Sequence, residues 1–87
     1  MKNQEIDLVA MDEEDKTIYF GECKWSNKKV GVDVFDDLVK KSNLVDWNIR
    51  KRKDQFILFS KSGFTESMRK LAKEKHILLV EGEKIVS

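Results

Sequence analysis

Two periodicities run along this chain. Glu5-Ile6-Asp7-Leu8-Val9-Ala10-Met11 alternates well enough to predict a strand, and Asp12 to Lys16 is a polar stretch suited to a hairpin loop. Thr17-Ile18-Tyr19-Phe20-Gly21-Glu22-Cys23-Lys24-Trp25, rich in β-branched and aromatic residues, predicts the second strand. Ser26 to Gly31 is a polar connection. From Val32 the apolar positions fall at Phe35, Leu38, Val39 and later Val45, a helical spacing with Asp33 as the expected N-cap. Gln55-Phe56-Ile57-Leu58-Phe59-Ser60 is almost wholly apolar and predicts a strand buried on both faces of a parallel sheet. Ser62-Gly63-Phe64 turns the chain, and Thr65 is placed to cap a helix reaching about Lys75, with Met68, Leu71 and Ala72 on one face. Ile77-Leu78-Leu79-Val80 is a last buried strand. A turn at Glu81-Gly82-Glu83-Lys84 precedes Ile85 and Val86. The order β-β-α-β-α-β argues for an α/β sandwich around a mixed sheet.

Composition narrows the setting. Eighty-seven residues make one domain, and Leu, Ile, Val and Phe supply 26 of them, enough to fold despite 38% charged residues. The longest apolar runs are four residues, far from the roughly 18 needed to span a membrane, and the N-terminus lacks the apolar core of a signal peptide. One cysteine excludes an internal disulfide framework and a four-cysteine zinc site. The expectation is a cytoplasmic single domain over residues 1–87, with no membrane partner. The net charge of +1 conceals an asymmetry: residues 1–22 carry −5 and residues 23–87 carry +6. Carboxylates that hold cations, set among Lys and Arg that hold a polyanion, would have this distribution, and so would an unevenly charged surface.

The first hairpin concentrates the chemistry. A turn centred between Glu14 and Asp15 makes opposed residues sum to 29, so Asp7 faces Glu22, Val9 faces Phe20, and Glu5 faces Lys24. Side chains alternate faces. Glu5, Asp7, Glu22 and Lys24 then share one end of one face, with Val9, Met11, Ile18 and Phe20 at its other end. Adjacent carboxylates repel unless a positive charge sits between them. Mg2+ takes oxygen ligands, few of them from protein, leaving room for water and phosphate oxygens. Lys24 would lie beside an attacked phosphate, and the backbone carbonyl of Cys23 is a further candidate ligand. The same spacing also describes a surface hairpin with a Glu5–Lys24 cross-strand pair, worth up to about 1 kcal/mol.

Glu5-Ile6-Asp7-Leu8-Val9-Ala10 followed by Gly21-Glu22-Cys23-Lys24-Trp25 resembles the paired "I-D-x-x-A" and "E-x-K" signatures of the PD-(D/E)xK nuclease superfamily, in particular its Mrr-type and Holliday-junction-resolvase branches. Ile57 to Thr65, the following amphipathic helix and Ile77 to Glu83 are similar to the strand, "S-x-s-G-F-T", helix, strand tail of the Mrr-like domains. The nearest likeness is to the nuclease-like C-terminal domain of a group of archaeal ATPases, whose strand also reads "G-E-C-K-W". The resemblance implies a restriction-endonuclease-like mixed sheet flanked by helices. It makes Asp7 and Glu22 ligands of Mg2+ or Mn2+ and Lys24 the catalytic lysine, and it implies hydrolysis of DNA phosphodiester bonds. Glu5 matches no essential position. Family members usually open with a helix that contributes a further glutamate. This chain starts almost at the aspartate strand, so the expectation is a domain truncated at its N-terminus, its helix missing, with an ATPase domain in the same protein.

Further basic residues extend this reading. Lys28 and Lys29 follow the E-x-K strand, and Arg50-Lys51-Arg52-Lys53 forms a run; both are candidate DNA-phosphate contacts, against the plainer alternative of a solvated surface. Trp25 and Trp47 are expected to pack in the core or an interface, His76 to end its helix, and Cys23 to be buried and inert. No Gly-rich phosphate loop is present, so ATP binding by this segment is not expected. Two readings stand beside a nuclease. One is a non-catalytic docking or dimerisation module that keeps the fold, and the other is a plain α/β interaction domain. A homodimer suits a small domain with one centre that must cut two strands.

Overall fold

The computed structural model describes residues 6–48 and 51–86. Strands β1 (Leu8–Asp12) and β2 (Thr17–Lys24) form the opening hairpin. Helix α1 (Val32–Ser42), strand β3 (Lys53–Ser60), helix α2 (Glu66–Lys75), strand β4 (Leu78–Glu81) and the two-residue strand β5 (Lys84–Ile85) follow. The sheet order is β1-β2-β3-β4-β5. The outer pairs are antiparallel, and β2–β3 and β3–β4 are parallel. The fold is therefore a mixed α/β sheet with one short strand beyond the expected order. No helix among the described residues is long and apolar enough to cross a membrane.

The hairpin register is the expected one: Leu8 pairs with Gly21 and Val9 with Phe20, each pair summing to 29. Asp12 closes the turn, its Oδ1 accepting from the backbone N–H groups of Glu14 and Asp15 at 3.1 and 3.2 Å. Gly21 makes the close approach possible, since a Cβ there would lie 3.0 Å from that of Leu8.

Because β2, β3 and β4 are parallel and adjacent in order, right-handed crossovers put both helices on the same face. Ile18, Phe20, Leu58 and Leu79 meet Phe35 and Leu38 of α1 and Met68 and Ala72 of α2 there. Phe56 stacks on Phe20 and meets Phe35 edge-on. The opposite face, built from Leu8, Ala10, Tyr19, Gly21, Cys23, Ile57, Phe59, Leu78, Val80 and Ile85, carries neither described helix. This corrects the expectation that β3 is buried on both faces: Leu58 is fully buried, whereas Ile57 and Phe59 are half-buried. An apolar run specifies a strand, but which faces are covered depends on where the crossovers pass.

The helix ends also depart from expectation once. Thr65 caps α2 as predicted, its Oγ1 accepting from the Met68 N–H at 3.1 Å, and His76 ends the helix in the left-handed conformation. The N-cap of α1 is Gly31, without a side-chain cap, and Asp33 lies inside the first turn. There its charge favours the helix dipole without closing a hydrogen bond.

Candidate functional site

Residues at the carboxyl end of β2 build the site. Glu22 points to the helix-covered face because it shares the alternation of Ile18 and Phe20, and it is consequently 7% exposed. Asp7 precedes β1 by one residue, on the register position opposite Glu22. One of its oxygens, Oδ2, accepts from the Cys23 N–H at 2.8 Å, which ties the aspartate to β2. Lys24 lies two residues beyond Glu22, half-exposed, its Nζ 3.9 Å from Glu22 Oε2. Asp7, Glu22 and Lys24, separated in sequence, are thus gathered at one end of the hairpin. Glu5 lies outside the described residues, as does Arg50.

A fourth residue belongs here that the sequence reading did not include. Lys41, in the last turn of α1, places its Nζ 3.6 Å from Glu22 Oε1 and 3.2 Å from Asp37 Oδ2. The 3.6 Å separation is a charge pair and not a hydrogen bond, and Glu22 Oε1 is left buried with no hydrogen-bond partner. The available signal was positional. Lys41 follows Leu38 by three residues, which sets it at the border of the buried stripe, and Asp37 precedes it by four.

Burial raises the pKa of Glu22 above its ordinary 4.5; Lys41 opposes that shift, the nearby Asp7 charge reinforces it, and Lys24 opposes it more weakly. For Lys41, partial burial acts downward but is outweighed by the Asp37 and Glu22 carboxylates, so its pKa is raised. The arrangement gathers three carboxylates, Asp7, Glu22 and Asp37, around two ammonium groups, Lys24 and Lys41.

The loops after β2 and β3 are laced together beside this cluster. The Lys61 N–H donates to the Lys24 carbonyl at 3.2 Å, the Val30 N–H to Gly63 O at 2.9 Å, and Ser62 Oγ to Ser26 O at 2.5 Å. A cleft of about 180 Å³ opens next to Lys24, lined also by Ser26, Lys28, Lys29 and the start of α1. Lys28 and Lys29 are both exposed there.

The second basic group divides. Lys51 and Lys53 are exposed, whereas the Arg52 side chain is 3% exposed. Its Nη1 donates to Val45 O and Trp47 O, its Nη2 to Ser42 O, and its Nε to Asp54 at 2.8 Å, while the guanidinium lies over the Phe20 ring. Arg52 therefore closes the carboxyl end of α1 onto the sheet and does not present its charge to a phosphate. Trp47 packs against the core as expected. Trp25 is 63% exposed and so takes no part in this chain's core, and Cys23, expected to be buried, is exposed on the face that carries neither helix.

No cluster of three or more His, Cys, Asp or Glu suited to a metal occurs among the described residues. Two carboxylates are nevertheless a donor set that suits Mg2+, which commonly keeps several waters and binds through one or two protein carboxylates with phosphate oxygens completing the shell. The partnerless Glu22 Oε1 is the observation in this protein that matches such a requirement.

Residues 1–34 match the model of a family described as archaeal and bacterial proteins of unknown function, DUF234. The matched stretch holds the whole hairpin and the loop up to the start of α1, and with them Asp7, Glu22 and Lys24. No curated protein and no solved structure matches the chain.

Proposed function

We propose that this chain is a metal-dependent, DNA-binding domain of the PD-(D/E)xK type that hydrolyses phosphodiester bonds. The observation that carries the reading is the convergence of Asp7, Glu22 and Lys24 at the carboxyl end of β2. Ligands of sheets with parallel strands bind outside those ends. Asp7 and Glu22 would hold Mg2+ or Mn2+, with the Cys23 carbonyl as a further ligand on the strand edge that Asp7 approaches. The cation would supply charge neutralisation at the phosphate and a more acidic water. Lys24, half-exposed, is free to reach an attacking water or the developing charge on phosphorus. Lys28, Lys29, Lys51 and Lys53 supply exposed charge for a DNA backbone. The resemblance to archaeal ATPase C-terminal domains adds an ATPase domain of the same protein as a partner.

On this reading the protein nicks supercoiled DNA only with Mg2+ or Mn2+, and Lys24→Ala abolishes nicking while leaving the fold intact by circular dichroism. Asp7→Ala and Glu22→Ala each weaken Mn2+ binding in calorimetry. If the native protein takes up no Mn2+ at millimolar metal, the nuclease reading is abandoned.

The uncovered sheet face favours a second reading, a non-catalytic dimerisation module. Leu8 is 41% and Ile85 69% exposed on that face. Among the described residues β1 is moreover an edge strand of the sheet, and its Val9 and Met11 are exposed as well. An antiparallel edge pairs readily with its own copy across a two-fold axis, so the occupant on this reading is a second copy of the chain.

A further inference from the structure

Glu22 is an acid held in the interior beside another acid, and an ammonium group from a different element stands against its fully buried oxygen, which has no hydrogen-bond partner. Lys41 reaches Glu22 Oε1 from α1 at 3.6 Å, with Asp37 steadying it at 3.2 Å one helical turn before. Lys24 approaches only the other oxygen, at 3.9 Å, and is far more exposed. Among the described residues these are the two ammonium groups paired with Glu22. A buried carboxylate that stays ionised needs a nearby positive charge, and Lys41 is the ammonium closest to its buried oxygen.

We propose that Lys41 is the internal counter-charge of the carboxylate pair, a positioning residue that a divalent cation displaces when it binds Asp7 and Glu22. This rests on the metal-binding reading above. Lys41 and the cation satisfy the same charge, so each lowers the benefit of the other. Lys41 keeps the site folded and the Glu22 carboxylate in place between binding events, and its ammonium can retreat toward Asp37 and solvent once the metal is present. Part of the cation's binding energy is then spent on displacing Lys41, which makes metal affinity weaker than two carboxylates alone would give.

The test is a set of four proteins, native, Lys41→Met, Glu22→Gln and the double variant, melted with and without Mn2+. Without metal, Lys41→Met lowers the melting temperature when Glu22 is present and has little effect when it is combined with Glu22→Gln. Mn2+ raises the melting temperature of Lys41→Met more than that of the native chain, and calorimetry gives a several-fold tighter Kd for that variant. Lys41→Arg, which keeps the charge, behaves like the native chain. If Lys41→Met costs the same with and without Glu22→Gln, Lys41 is not the counter-charge of Glu22. If Mn2+ stabilises the native chain and Lys41→Met equally, the displacement is refuted while metal binding stands. A native chain that Mn2+ does not shift removes the metal reading itself, and the displacement with it.

Discussion

A carboxylate at 7% exposure in a domain this small is the residue that most requires an explanation. Glu22 sits where strand alternation would otherwise put an apolar side chain next to Phe20, and nothing in the core benefits from its charge. Its folded pKa lies above 4.5, raised first by burial and then, against the opposition of Lys41, by Asp7. An acid with a raised folded pKa binds protons on folding, so stability increases as pH falls through that folded pKa and levels off below 4.5. Glu22→Gln keeps the shape and removes the charge, and Lys41 retains Asp37 as a partner. The variant is therefore expected to be more stable than the native chain at pH 7, by about 1 kcal/mol, with the gap closing toward pH 4. Urea midpoints at the two pH values measure this, and a variant less stable than native at pH 7 would contradict it. A buried charge that lowers stability is the kind of local conflict expected at a functional site.

At the scale of elements, α1 is tied down at its carboxyl end by a side chain from the start of β3. The Arg52 guanidinium donates to three carbonyls at and just beyond the helix end, those of Ser42, Val45 and Trp47, and Asp54 holds it in turn. This fastening also sets the end of α1 from which Lys41 reaches Glu22. Arg52→Met would remove these hydrogen bonds from the Val45 and Trp47 carbonyls and from Asp54 in a part-buried place, with Ser42 O keeping the Val45 N–H, at a cost of about 3 kcal/mol. Lys51→Ala, one residue earlier and exposed, would change stability by less than about 0.5 kcal/mol. Thermal or chemical unfolding of the two variants separates the roles, and similar losses in both would show that the run acts only as surface charge.

Among the described residues the molecule is lopsided: both helices cover one face of the five-stranded sheet, and the other face, apolar from Leu8 and Ile57 to Ile85 but polar at Lys53 and Gln55, carries neither. Self-association through that face and the β1 edge follows on the second functional reading. Sedimentation velocity is expected to show a monomer–dimer equilibrium that Leu8→Lys shifts to monomer, and a chain that stays monomeric at high concentration would count against dimerisation. The nuclease reading does not depend on that result, because Asp7, Glu22 and Lys24 come from one chain.

The linear sequence by itself determined the hairpin, its register, the capped second helix and the meeting of Asp7 with Glu22. All of these follow from alternation, turn residues and spacing over short stretches of chain, where the backbone leaves few alternatives. It also made Lys24 legible, since a residue two places along a strand keeps the same face. What only the tertiary structure decided was how distant elements share charge and cover surface. Arg50-Lys51-Arg52-Lys53 reads as one basic run, yet the packing of α1 buries Arg52 under the Trp47 and Val45 carbonyls and leaves Lys51 and Lys53 in solvent. The apolar Phe56 to Phe59 run could not say which face lacks a helix, because the handedness of two successive crossovers settles that. Lys41 meets Glu22 only once α1 is laid across the sheet, bringing residues nineteen positions apart to 3.6 Å.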